Sequence, residues 1–151
     1  MTKEEILNIL REAGGYVSGE FLAEKLGVSR AAVWKHIHAL IKDGYAVDVA
    51  QGKGYMLVSV PDKLYPAEIR HGLQTRRLGR KVVHLNVTGS TNAVARQIAE
   101  RGVEEGTVVL AETQSHGKGR LGRRWVATPG GLAMSVILKP AIDPMHASSI
   151  T

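Results

Sequence analysis

Nine consecutive residues, Gly117-Lys118-Gly119-Arg120-Leu121-Gly122-Arg123-Arg124-Trp125, set three glycines and four cations beside one large aromatic ring. Glycines let backbone N–H groups converge on an anion with no side chain in the way, and the cations attract it from a distance. The segment therefore reads as a loop that closes over a phosphorylated ligand. A solvated basic loop between two strands is the plainer alternative, and Trp125 against a nearby arginine would be a structural use of the ring. Upstream, Gly89-Ser90-Thr91-Asn92 stands where a strand hands over to a helix, so hydroxyls and N–H groups gather at the positive end of a helix dipole. That grouping suits a ligand carboxylate or phosphate, and simple N-capping by Ser90 or Thr91 uses the same residue types. Gly117 to Gly122 also satisfies Gly-x-Gly-x-x-Gly, but a dinucleotide site needs an amphipathic helix straight afterwards, and Pro129-Gly130-Gly131 follows instead. A Walker loop fails as well, because no Gly-Lys pair with the required gap before it is followed by Ser or Thr.

These residues need elements to hold them. Val82–Val87 reads as a strand and Thr91–Arg101 as a helix with Val94, Ala95, Ile98 and Ala99 on its apolar face; Gly106–Thr113 reads as a buried strand, and Leu132–Leu138 as another ended by Pro140. A short helix over Pro66–Leu73 follows a linker at Val60-Pro61-Asp62-Lys63. Strands alternating with helices point to a mixed α/β or α+β layer over residues 62–151.

The first sixty-one residues carry a different pattern. Thr2 and Glu5 have capping-box spacing before Ile6, Leu7 and Leu10, which predicts a helix from about residue 3 to 12. Ser18 caps a second helix with Phe21, Leu22 and Leu26 as its apolar face, and Gly27 stops it. Ser29 caps a third, with Val33, Ile37, Leu40 and Ile41 inward and Arg30, Ala31, Trp34, Lys35 and His38 largely outward. Only Gly27-Val28-Ser29 separates the last two, the glycine-bearing turn of a helix-turn-helix. Tyr45–Val49, a Gln51-Gly52-Lys53-Gly54 turn and Tyr55–Val58 add a hairpin, giving a winged helix over residues 1–61. Its third helix would enter the major groove, with Ser29 near a phosphate, Arg30, Lys35 and His38 reaching bases or backbone, and Lys53 on the wing. Trp34 could meet a base or pack at the helix edge. A small three-helix domain for protein contacts is the competing use of the same pattern.

Charge divides the chain at the same place. Residues 1–60 hold seven Lys/Arg and seven Asp/Glu, so the whole net charge of +6 belongs to the remainder. DNA binding by the first part must rest on where its cations sit. The absence of cysteine excludes disulfides, thiolate nucleophiles and cysteine zinc sites. The polar start and the lack of a long apolar run argue against a signal peptide or membrane span, and a soluble cytoplasmic protein is expected.

Ser29-Arg30-Ala31-Ala32-Val33-Trp34-Lys35-His36-Ile37, Gly52-Lys53-Gly54-Tyr55, Ser90-Thr91-Asn92, Gln114 and the Gly117-to-Trp125 segment together resemble the bifunctional biotin–protein ligases that also repress biotin operons. Order and spacing match along nearly the whole chain. The resemblance implies an α+β protein with an operator-binding winged helix followed by a ligase domain, acting on biotin and ATP with Mg2+ and transferring biotin to a lysine of a carboxyl-carrier protein. It places Ser90, Thr91, Asn92 and Gln114 around biotin, and Gly117, Lys118, Gly119, Arg120 and Trp125 around the adenylate, with Arg120 and Lys118 as the catalytic cations and no protein-held metal. The family loop usually reads Gly-Arg-Gly-Arg, so Lys118 is a departure: a point charge remains, but bidentate geometry is lost. A ligand-linked homodimer would hold two operator half-sites. The family's ligase domain continues well past the position of Thr151 and carries a Lys-Trp-Pro-Asn-Asp type of motif that is absent here. The expectation is thus a truncated chain, with Pro144–Thr151 opening a helix, that binds DNA weakly and adenylates biotin poorly or not at all. The competing reading is a non-catalytic winged-helix regulator whose second half senses a small ligand. A lipoate-attaching enzyme would share the ligase-type layer but leave the helix-turn-helix and the Gly-Lys-Gly-Arg loop without a role.

Overall fold

The computed structural model describes residues 3–119, 121, 123–143 and 145–146. Thr2, Arg120, Gly122, Pro144 and residues 147–151, on which several of the expectations above fall, lie outside the described residues. The chain divides into two compact units, Met1–Asp62 and Lys63–Thr151.

In the first unit, α1 (Lys3–Ala13) buries Ile6, Leu7 and Leu10. α2 (Gly19–Leu26) starts where Ser18 Oγ accepts from the Phe21 N–H at 3.1 Å, and it ends at Gly27, whose φ of 63° is left-handed. α3 (Arg30–Lys42) starts in the same way, Ser29 Oγ accepting from Ala32 N–H at 3.2 Å, and buries Val33, Ile37 and Leu40. Two apolar residues expected inward are not: Phe21 is 49% and Ile41 40% exposed. The inward side of α2 is Leu22 with Ala23, which turns Phe21 outward beneath the Lys25 ammonium; Ile41 lies about 100° round the helix from the fully buried Leu40.

The hairpin pairs β1 (Ala46–Ala50) antiparallel with β2 (Gly54–Ser59), Val49 opposite Tyr55. A third segment joins it that the sequence did not announce. Val17, between α1 and α2, donates to Tyr55 O at 2.8 Å and accepts from Tyr55 N at 2.9 Å. Gly54 makes this approach possible: at φ 107°, a Cβ there would stand 2.1 Å from Val17 O. The wing is therefore tied at its base to the connector ahead of the helix-turn-helix.

Among the described residues, the second unit is a four-stranded mixed sheet with one substantial helix. β3 (Val82–Thr88) runs parallel to the central strand β4 (Val108–Lys118), and α5 (Thr91–Glu100) makes the crossover between them. On β4's other side, β6 (Ala133–Val136) pairs with Val108–Ala111 and β5 (Arg124–Ala127) with Gln114–Lys118, both antiparallel. One core packs Ala95 of α5 on Val109 and Ile137, flanked by Val83, Leu85 and Ile98. The arrangement is α+β, with parallel pairing across the α5 crossover and antiparallel pairing of β4 with β5 and β6.

α4 (Pro66–Arg70) is shorter than expected. His71 already has extended backbone angles and Gly72 has φ 72°, so the helix stops before Leu73. β4 is longer than expected: it begins after Gly106, which needs φ 82° and lies against Arg77 O, and continues to Lys118. The start of the cationic segment is thus strand rather than loop, because Gly117 and Lys118 pair with Trp125 and Arg124.

The sequence of this unit also hides a half-buried ionisable pair. His84 Nε2 lies 2.8 Å from Glu112 Oε1, which also accepts from Leu64 N–H at 2.9 Å, and Tyr65 meets the imidazole edge-on. Burial pushes the Glu112 carboxyl up, but the Leu64 N–H, the His84 hydrogen bond and the charges of Lys63 and His84 together outweigh it and hold the group below the usual carboxylate range. The chain entering the unit is thereby fastened to β3 and β4.

Candidate functional site

β3 ends at Thr88 opposite Gln114 while β4 runs on to Lys118, and α5 begins at Thr91, whose N–H reaches Gln114 where the β4–β5 pairing starts. A cavity of about 260 Å³ lies there, lined by Ser90, Thr91 and Asn92 from the helix start, Gln114, Gly117 and Lys118 from β4, Trp125 from β5, and Leu132, Ala133 and Met134 before and along β6. The structure thus gathers seven of the residues singled out from sequence into one cleft. Gly119 is not in its wall; its N–H donates to Arg123 O at 2.7 Å and closes the hairpin turn. Arg120 lies outside the described residues.

Within the cleft the polar groups are already tied together. Gln114, 7% exposed, accepts at Oε1 from Thr91 N–H at 2.7 Å and from the Thr91 hydroxyl at 3.1 Å. Its carbonyl therefore caps the first turn of α5, and its Nε2 amide retains two donors. Ser90 Oγ accepts from Ala93 N–H at 3.4 Å, a long cap that leaves this hydroxyl only weakly held. Ser135 Oγ donates to Asn92 Oδ1 at 2.5 Å and sits 2.9 Å from Thr91 Oγ1. With Oδ1 engaged, Asn92 offers its Nδ2 donors.

Ser135 was not read from the sequence, though a signal for it exists. Ala133, Ser135 and Ile137 share one side of the final apolar run and all are buried, so a hydroxyl on that side needs a polar partner. Gly117 has a reason different from freeing an N–H group: a Cβ there would stand 2.2 Å from Gln114 Nε2 and 2.9 Å from Trp125 O, so the glycine makes room for the Gln114 amide.

The three described cations of the segment separate by task. Lys118 faces the cleft. Arg124 turns back on its own hairpin, donating to Ser115 O from Nε at 3.1 Å and Nη2 at 3.0 Å. Arg123 is exposed. Trp125 is 59% exposed and supplies an aromatic wall open to a ligand ring.

On the winged unit, Arg30, Ala31, Trp34, Lys35 and His38 are all exposed along one side of α3. The Trp34 and His38 rings pack at a 50° tilt with centroids 3.9 Å apart, and Trp34 is 56% exposed. A groove of about 520 Å³ has Arg30, Ala31 and Trp34 on its helix side and Gly52, Lys53 and Gly54 on its wing side. Lys35, His38 and Ser29 do not line it, and the Ser29 hydroxyl is engaged as the α3 cap.

Residues 2–56 match the model of a helix-turn-helix domain, and residues 84–151 that of the biotin/lipoate A/B protein ligase family. The bifunctional ligase/repressor BirA of Bacillus subtilis (strain 168) is 38% identical over 151 residues, 99% of this chain and 46% of that protein. The protein of the same name from Bacillus spizizenii gives the same figures. BirA of Escherichia coli (strain K12) is 39% identical over 118 residues, covering 78% of this chain and 35% of that protein. The chain spans about half the length of the Bacillus relatives it matches.

Proposed function

We propose a biotin–protein ligase that doubles as a biotin-responsive repressor, on the ground that residues 84–151 match the biotin/lipoate A/B protein ligase family and residues 2–56 a helix-turn-helix domain. The observation that carries the reading is the single cleft in which the α5 start, Gln114, Lys118 and Trp125 converge. A ureido ring has one acceptor oxygen and two N–H donors, and the cleft offers the Gln114 and Asn92 amide donors for the oxygen and the Ser90 hydroxyl as acceptor for one N–H.

In the proposed reaction the biotin carboxylate attacks the α-phosphorus of ATP, the bond to the β-phosphate oxygen breaks, and pyrophosphate leaves. A lysine amine of a carboxyl-carrier domain then attacks the biotinyl carbonyl and releases AMP. Both steps crowd negative charge, which preorganised donors and cations stabilise. Lys118 supplies a point charge there, and Arg120 is assigned the same task. Trp125 is assigned to the adenine or to holding the hairpin over a mixed anhydride that water would destroy. Among the described residues no group of three His, Asp or Glu could hold a metal ion. Magnesium is expected to accompany the ATP phosphates, and no step runs through it.

For the winged unit the proposal is operator binding through Arg30, Ala31, Trp34, Lys35, His38 and Lys53, with the Ser29 backbone near a phosphate, and a ligand-linked homodimer to span two half-sites. Among the described residues no helix is long and apolar enough to cross a membrane, and a cytoplasmic location is part of the same proposal.

Calorimetric titration of biotin into the protein, with and without ATP, tests the assignment. Saturable heat that ATP increases is expected. Binding of lipoate in place of biotin would overturn the choice of substrate, and biotin binding without pyrophosphate release on adding ATP and a carrier domain would favour a ligand-sensing regulator.

A further inference from the structure

Tyr16 belongs to neither site as described so far. It precedes Val17, the residue that ties the wing to the α1–α2 connector, so its backbone is held at the base of the hairpin. Its hydroxyl donates to Asp48 Oδ2 on β1, and the Lys53 ammonium stands 5.6 Å from the centre of its ring. Lys53 is at the wing turn, in the wall of the groove that also holds Arg30 and Trp34 of α3.

Each part of this arrangement answers a physical difficulty. A lysine at an exposed turn has a long flexible stem, and ordering it on contact costs rotamer entropy. A ring face beneath the ammonium restricts where that charge spends its time. The ring in turn is fixed at both ends, by the Val17 bridge behind it and by Asp48 at its hydroxyl. The hydrogen bond to Asp48, with its negative charge, holds the phenol protonated above the usual tyrosine range, so the donor persists.

We propose that Tyr16 is a positioning residue for DNA binding: anchored by Asp48, its ring presents Lys53 across the groove from Arg30, so that one backbone phosphate is gripped between the wing and α3. This rests on the DNA-binding reading of the winged unit. It adds a residue that touches no DNA and acts through Lys53.

The test uses the 151-residue chain and a fluorescent random-sequence duplex of about 20 base pairs, titrated across roughly 50 to 200 mM salt. Lys53→Ala should lower the magnitude of the log–log salt slope by about one, the signature of one lost phosphate contact. Tyr16→Ala should weaken binding about two- to fivefold, as expected for an exposed cation–π contact. In the Lys53→Ala background the same change should do nothing further, because its effect passes through that side chain. Tyr16→Leu keeps apolar bulk without the ring face and should show the same coupling, with a thermal midpoint matching the parent. Equal losses in both backgrounds, or none in either, would overturn the positioning role. Absence of any salt-dependent binding by the parent chain would instead remove the DNA-binding reading, and this proposal with it.

Discussion

The winged unit and the ligase-type unit prepare for charged partners in opposite ways. The first carries no net charge over residues 1–60 and places its cations on an exposed helix face and a wing tip, where Trp34 is 56% exposed. The second carries the +6 excess, yet its cleft is floored by neutral groups, Thr91 at 3% and Gln114 at 7% exposure, already hydrogen-bonded to one another. A long polyanion is met by surface charges that keep their own hydration and rotamer freedom. A small ligand must be met by donors fixed in advance, and fixing them requires burial and partners. The consequence is that cleft residues should couple stability to binding, whereas wing-face residues should separate the two.

The largest effect should come from the interior that presents the exposed face. Ile37 is fully buried on the inward side of α3, and Ile37→Ala should cost about 2–5 kcal/mol in chemical denaturation and remove DNA binding by loosening the helix. Next comes the coupling itself. Gln114→Ala strips the Thr91 N–H of its acceptor, so a loss of about 1–3 kcal/mol is expected together with a fall in biotin affinity. Gly117→Ala should reproduce the affinity loss by displacing the Gln114 amide. If calorimetry found biotin affinity unchanged in both variants, the contrast between the units would lose its basis.

Acid should distinguish a third element. Because Glu112 is held below its ordinary range in the folded unit, its contribution is fully present above that ordinary value and disappears as pH falls through the lower folded one. Glu112→Gln should therefore flatten the acid side of a plot of thermal midpoint against pH, and a plot that keeps the parent's decline would show that the pair adds nothing. The smallest stability effect belongs to the wing face: Arg30→Ala should change stability by no more than about 0.5 kcal/mol. In DNA titrations it should still lower the salt slope by about one. A large stability loss there would erase the difference between the two regions.

Much of the local structure was legible. Ser18 and Ser29 cap the helices they were expected to cap, Ser90 caps the one for which Ser90 and Thr91 both stood open, and Gly27 takes the left-handed turn. These are contacts within three or four residues, which a sequence displays directly. The Val17–Tyr55 bridge, the Tyr16–Asp48 bond and the His84–Glu112 pair join residues 28 to 38 positions apart, and no local pattern announces them. Phe21 and Ile41 were misread inward because helical periodicity locates an apolar stripe only to within a residue on each side. The cleft was half legible: its residue types were plain, but the engagement of Arg124 with Ser115 and the part of Ser135 were not.

What this chain's sequence determined alone was the order of its helices and strands, their caps and turns, and the residue types offered to each ligand. These depend on backbone preferences and apolar spacing, which act over a few residues. Which groups remain open to a ligand was decided only by tertiary structure. Gln114 gives its carbonyl to Thr91 and keeps its amide donors, and Lys53 rests over Tyr16, because β-strand pairing and helix crossover bring distant polar groups close enough to satisfy one another.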